Sequence, residues 1–130
     1  MSNPNIVNVT AIYGTTTYYT PSGTSAVVLL PNAASSGLVY KIENLVIANT
    51  TTAAVNATVS IYTNGAVAQG SAPAGGTAYP IISAVSVPPN ASLVAVDKST
   101  SFYLMEGTSI SITSSSANNL TFTVSYENIS

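Results

Sequence analysis

The feature that most constrains this chain is strict alternation of apolar and polar side chains, clearest at its end. Residues 120–126 read Leu-Thr-Phe-Thr-Val-Ser-Tyr. Leu120, Phe122, Val124 and Tyr126 share one parity, and Thr121, Thr123, Ser125 and Glu127 share the other. Successive side chains of an extended strand point to opposite faces, so a period of two means a strand with one face buried and one face wet. Nowhere do apolar residues recur at i, i+3, i+4 and i+7 over a stretch long enough for an amphipathic helix.

The same pattern, cut by turn residues, runs through the rest of the chain. Strand candidates fall at 5–13, 15–20, 25–30, 38–49, 55–63, 79–87, 93–96, 102–105, 109–113 and 120–127. Between them stand Gly14, Pro21-Ser22-Gly23, Pro31 to Gly37, Pro88-Pro89-Asn90, Asp97-Lys98-Ser99, Glu106-Gly107 and Ala117-Asn118-Asn119. These are residues that pre-set φ, accept positive φ or bond their own backbone. In 38–49 the heavy side chains change parity between Ile42 and Leu45, which a bulge near Asn44 would reset; cover on both faces is the alternative. Pro80 sits near the start of its strand, where proline is tolerated. Residues 64–78 form one long Gly/Ala/Pro stretch of flexible-linker composition, and residues 1–4 are a polar arm. About nine or ten short strands and no significant helix make the expected fold all-β, an antiparallel β-sandwich of jelly-roll or Ig-like type. The whole of residues 1–130 fits one domain.

Charge is scarce. Two lysines and four carboxylates make up 5% of 130 residues and give a net charge of −2. Hydroxyls and amides must keep such a surface wet, and weak mutual repulsion favours association. There is no Arg, so no basic patch for a phosphate backbone forms, and no nucleic-acid partner is expected. The longest aliphatic runs fall far short of the ~20 residues that cross a bilayer as a helix, so no membrane is expected either. The first residues lack the basic and apolar regions of a secretory signal.

The residues that carry most enzyme chemistry are missing. The chain has no His and no Cys, which removes the usual base for a Ser nucleophile, thiolate chemistry and the common zinc ligands. The carboxylates Glu43, Asp97, Glu106 and Glu127 have no evident acid–base partner, and Asp97-Lys98 and Glu106-Gly107 read as turn punctuation. No loop holds two carboxylates for calcium, and residues 64–78 lack the lysine of a phosphate loop. No enzyme activity and no cofactor or metal are expected.

Eight tyrosines remain. Tyr40, Tyr62, Tyr103 and Tyr126 are expected to sit at strand ends, with the ring in the core and the hydroxyl in water. The adjacent pair Tyr18 and Tyr19 fits an interface equally well. Residues 25–30 are apolar on both faces, which marks a central or interface strand and brings Val27 and Val28 into the candidate surface. A docking N-terminal segment adds Ile6, Val7 and Val9. Together these residues imply a homo-oligomer, with a trimer as the expected state.

Several segments resemble one family. Residues 3–10, Ile12-Tyr13-Gly14, residues 39–42 leading to 46–49, Val87-Pro88 and residues 91–93 are among them. Asp97-Lys98, Tyr103-Leu104, Glu106-Gly107, residues 125–127 and Ile129-Ser130 complete the set. Together they resemble small virion structural proteins of tailed phages, particularly phages of marine bacteria and cyanobacteria. Residues 50–78 lie outside the resemblance, and no catalytic residue comes with it. It implies a capsid decoration (cement) protein that braces neighbouring subunits of the major capsid protein. Such a protein would be made in the host cytoplasm and carried in the virion. A neck, tail or fibre component is the alternative, including a carbohydrate-binding β-sandwich built around Tyr18, Tyr19 and residues 64–78.

Overall fold

The computed structural model of the chain describes residues 11–130. They form nine strands: β1 (Ile12–Tyr19), β2 (Val27–Asn32), β3 (Val39–Asn49), β4 (Val55–Tyr62), β5 (Ala78–Val87), β6 (Ser92–Val96), β7 (Phe102–Leu104), β8 (Thr108–Ser114) and β9 (Leu120–Ile129). A single 3₁₀ turn, Lys98–Thr100, separates β6 from β7. The strand predicted to stop at Gly14 instead runs through it, because residues 12–19 pair without interruption along β9.

Two antiparallel sheets pack face to face. One has the order β1-β9-β3-β6, with β7 also paired to β3, and the other has the order β2-β8-β4-β5. β6 and β7 act as one interrupted edge strand. The chain then folds as a long ribbon whose halves pair β1 with β9, β2 with β8, β3 with β6 and β7, and β4 with β5. This is the jelly-roll wrap rather than the Ig-like arrangement.

The alternating pattern decides which face turns inward. Leu120, Phe122 and Val124 of β9 meet Ile42, Leu45 and Ile47 of β3 on one side, and Ile110, Ile112, Val55, Ala57 and Val59 from the other sheet. The predicted parity change in β3 is a bulge. Ile42 opposes Tyr126 and Asn44 opposes Ser125, so Glu43 is the extra residue. It lets Ile42 and Leu45 both reach the core from one strand.

Residues 64–77 are not a loose linker. They leave β4, cross the outer face of the second sheet, reach the β2 edge and return to β5. The Ser109 hydroxyl donates to the Asn64 carbonyl at 3.0 Å. Val28 donates to the Ser71 carbonyl at 2.9 Å and accepts from Gly70 N–H at 2.8 Å. The Gln69 amide donates to the Leu29 carbonyl at 2.8 Å and to the Thr17 hydroxyl at 3.0 Å, tying β2 to β1. The segment is a strap that closes the side of the sandwich between β1 and β2. Small side chains let it lie close: Ser60, Ser109 and Ser111 are buried on the face away from the core. Gly65 is required for contact, since a Cβ there would stand 2.1 Å from the Asn32 carbonyl oxygen.

Two buried asparagines staple the sheets together, one at each end. Asn32 of β2 donates to the carbonyls of Leu38 and Leu104, at 3.0 and 3.1 Å, and accepts from the Ser36 hydroxyl. Asn49 of β3 donates to the carbonyls of Ala53 and Val87, at 2.8 and 3.0 Å, and accepts from Thr51 N–H and its hydroxyl. Buried amides satisfied in this way fix which strand ends meet.

Replacing Asn49 with Ala takes the amide donor from the buried Val87 carbonyl and the acceptor from Thr51 N–H, while the Ala53 carbonyl keeps the Thr51 hydroxyl. We expect a loss of about 2–4 kcal/mol in urea denaturation, with an unchanged m-value. Gly65→Ala forces a methyl against backbone that cannot yield and should cost about 1–3 kcal/mol or more. Gly23→Ala, where a Cβ meets nothing within 4 Å, should stay within about 0.5 kcal/mol of the parent in the same assay.

Candidate interaction surface

The predicted interface residues are scattered by the fold. Ile6, Val7 and Val9 lie outside the described residues. Val28 does not belong to an exposed interface strand: it is 0% exposed. It faces away from the core opposite Ser111, and the strap bonded to its backbone accounts for its cover. Val27 is half-buried and packs on the core. The two-sided apolar character of residues 25–30 therefore reflects internal cover on both faces, core on one and strap on the other. Tyr19 also turns inward, against the core and against Gly70 of the strap. Of the predicted interface residues that are described, only Tyr18 stands free, 69% exposed.

Tyr18 has companions that the periodicity did not single out. Ile12 and Tyr13, at the other end of β1, are 55% and 65% exposed. β1 is an eight-residue edge strand, paired only with β9 among the described residues. It contains no charged residue, no proline and no bulge. Ala11 and Ser130 exchange both of their backbone hydrogen bonds. Such pairs alternate along an antiparallel ladder, so residues 13, 15, 17 and 19 spend their backbone groups on β9. Ile12, Gly14, Thr16 and Tyr18 aim theirs at the open edge.

The other three edges are blunted. The strap occupies β2. β5 carries Pro80 and two bulges, with Ala84 at φ 49°. The β6–β7 edge is broken by the 3₁₀ turn, where Asp97 and Lys98 stand exposed. Proline, bulges, charge and cover are the usual devices against strand addition. Among the described residues, none of them falls on β1.

The tyrosine expectations divide. Tyr40 and Tyr126 are half-buried against the core with ring centroids 4.8 Å apart. Burial pushes both hydroxyl pKa values up, and the neighbouring Tyr40 adds to the rise at Tyr126. Tyr62 is buried, but its hydroxyl accepts from Gly76 N–H at 3.0 Å instead of reaching water. Tyr103 departs from expectation at 48% exposed, because β7 is a short edge piece.

A shallow depression of about 460 Å³ is lined by Glu43, Asn44, Asp97, Lys98 and Ser99, where the β3 bulge meets the 3₁₀ turn. Its carboxylates are already engaged. Glu43 pairs with Lys41 at 3.3 Å, and the carboxylate, by hydrogen bond first and charge second, raises the lysine pKa. Asp97 caps the turn, accepting from the Ser99 hydroxyl at 2.6 Å and from Ser99 N–H at 2.9 Å. Those bonds, the side-chain one foremost, lower its pKa. Glu106 is turn punctuation, as read, but it is also buried, 2% exposed. Among the described residues no three of His, Cys, Asp and Glu come together to hold a metal ion. No helix among them is long and apolar enough to cross a membrane.

No protein-family model, no curated protein and no solved structure matches this chain.

Tyr40, Tyr126 and Lys41 all have pKa values raised by folding, so their contribution is complete below the ordinary values, 10.0 for Tyr and 10.5 for Lys, and is lost above them. We expect the denaturation midpoint to fall as pH rises from about 9 to 11. The double substitution Tyr40→Phe, Tyr126→Phe should flatten that fall, measured as the urea midpoint at each pH.

Proposed function

We propose that this chain is a non-enzymatic structural protein of a tailed-phage virion, a head decoration or cement protein that braces neighbouring capsid subunits. The observation that carries this reading is the contrast among the sheet edges: three are blunted, and β1 is left uncharged, unbulged and studded with Ile12, Tyr13 and Tyr18. Exposed apolar and aromatic side chains on an open edge mark association. The weak net charge of −2 adds little repulsion when many copies crowd one shell. The jelly-roll wrap recurs in viral capsid domains, which supports the reading by analogy only, since lectins share it.

The carbohydrate-binding alternative has less support. It needs a groove between Tyr18, Tyr19 and residues 64–78. Tyr19 is packed against Gly70, and no aromatic residue lines the depression at Glu43 to Ser99.

Copy number and position in purified particles test the proposal. Quantitative mass spectrometry and particle imaging should find on the order of hundreds of copies spread over the head, as expected of a protein repeated with shell symmetry. About a dozen copies at the neck or tail would overturn decoration in favour of a connector or fibre role.

A further inference from the structure

We propose that the edge of β1, open among the described residues, pairs antiparallel with β1 of a second copy of this chain, joining the two β1-containing sheets into one continuous sheet across a two-fold axis. The inference stands on β1 alone and does not depend on the virion reading.

The occupant follows from the strand's own sequence. Two identical strands that pair antiparallel are related by an axis perpendicular to the sheet, so facing residues share a parity and one residue faces its own copy. The edge-directed backbone groups belong to Ile12, Gly14, Thr16 and Tyr18, so the hydrogen-bonded pairs of the new ladder are made of even-numbered residues. Centring the axis on Thr16 places Gly14 opposite Tyr18 of the second copy. A side chain built on Gly14 meets nothing within 4 Å, so there is room over Gly14 for that ring. An aromatic residue opposite a glycine covers the backbone the glycine leaves bare. On the other face the same register sets Tyr13 opposite Tyr19, and Thr15 opposite Thr17. Aromatic pairs and threonine pairs are favourable across a ladder. No charge falls anywhere on the strand, so self-pairing brings no like charges together. A contact of this kind closes as a dimer. It does not build a trimer, which would need a different surface.

The test uses the purified chain. Sedimentation equilibrium should show a monomer–dimer equilibrium somewhere between about 1 µM and 1 mM, the range expected of a modest interface. Thr16→Lys sets two like charges face to face on the axis and should weaken the dimer at least about tenfold. Thr16→Pro removes an N–H aimed at the edge, a position where proline is tolerated, and should weaken it similarly. Val94→Lys, on the opposite edge of the same sheet, should leave association unchanged. The chain has no cysteine, so Thr16→Cys gives a clean cross-link. Facing Cα atoms in a hydrogen-bonded pair lie about 5.5 Å apart, within disulfide reach. Mild oxidation should yield covalent dimer from Thr16→Cys and far less from Val94→Cys, which holds even if the lysine or proline variant misfolds. A monomer throughout the range, with Thr16→Cys cross-linking no faster than Val94→Cys, would overturn the proposal. So would association untouched by both Thr16→Lys and Thr16→Pro, or a trimer. Faster cross-linking through Thr15→Cys than through Thr16→Cys would overturn the register.

Discussion

The packing of two apolar sheet faces around Phe122, Ile42, Leu45 and Ile112 is the interaction on which the rest of this molecule depends. Each of these side chains is fully buried. At about 25 cal/mol per Å², burial on this scale is the main force opposing chain entropy. It also dictates where everything polar goes. With an apolar interior, the amides and hydroxyls of this chain work at the rim, at the ends and under the strap. Asn32 and Asn49 do so at opposite ends: both are buried, each is bonded through its amide oxygen and nitrogen, and each holds a strand of one sheet against the backbone of the other.

A sandwich that does not close into a barrel must dispose of its edges. This chain does so in three different ways. A strap hydrogen-bonds one edge, proline and bulges spoil a second, and a capped turn interrupts a third. The fourth, β1, is left open among the described residues. The strap does double duty, since Gln69 reaches both Leu29 and Thr17 and so sutures the two sheets at their margin. Its glycines are placed by contact rather than by need for flexibility: Gly65 lies against the Asn32 and Thr108 carbonyls, and Gly70 lies under the Tyr19 ring at φ 86°.

Charge is spent locally. Lys41 pairs with Glu43 at the β3 bulge, and Asp97 caps a turn through Ser99 and Thr100. Exposed pairs and caps of this kind contribute modestly. Their larger consequence is spatial: Lys41, Glu43, Asp97 and Lys98 gather at β3 and the turn between β6 and β7. β1 itself carries no charge, although Glu127 of β9 stands directly opposite its Gly14.

Much of this was legible in the order of the residues. Period two along 120–126 named a half-buried strand and its inward side chains, because the alternation of a strand is a local property. The parity change between Ile42 and Leu45 marked the bulge at Glu43 for the same reason. The two-sided apolar run at 25–30 suggested a central or interface strand; β2 is instead an edge strand, and the cover on its outer face is this chain's own strap. Residues 64–78 carry no period and no bulky side chains, so nothing local announces that they hydrogen-bond an edge forty residues earlier in the chain. Tyr18 and Tyr19 are adjacent and alike in sequence, yet one is exposed and the other packed on Gly70, a difference made by distant contacts. The sequence by itself determined the strands, their inward faces and the scarcity of charge, since those depend on neighbours two residues away. Only the tertiary structure decided which edges are sealed and that, among the described residues, β1 stays open, because an edge exists only once β9, from the far end of the chain, has paired with it.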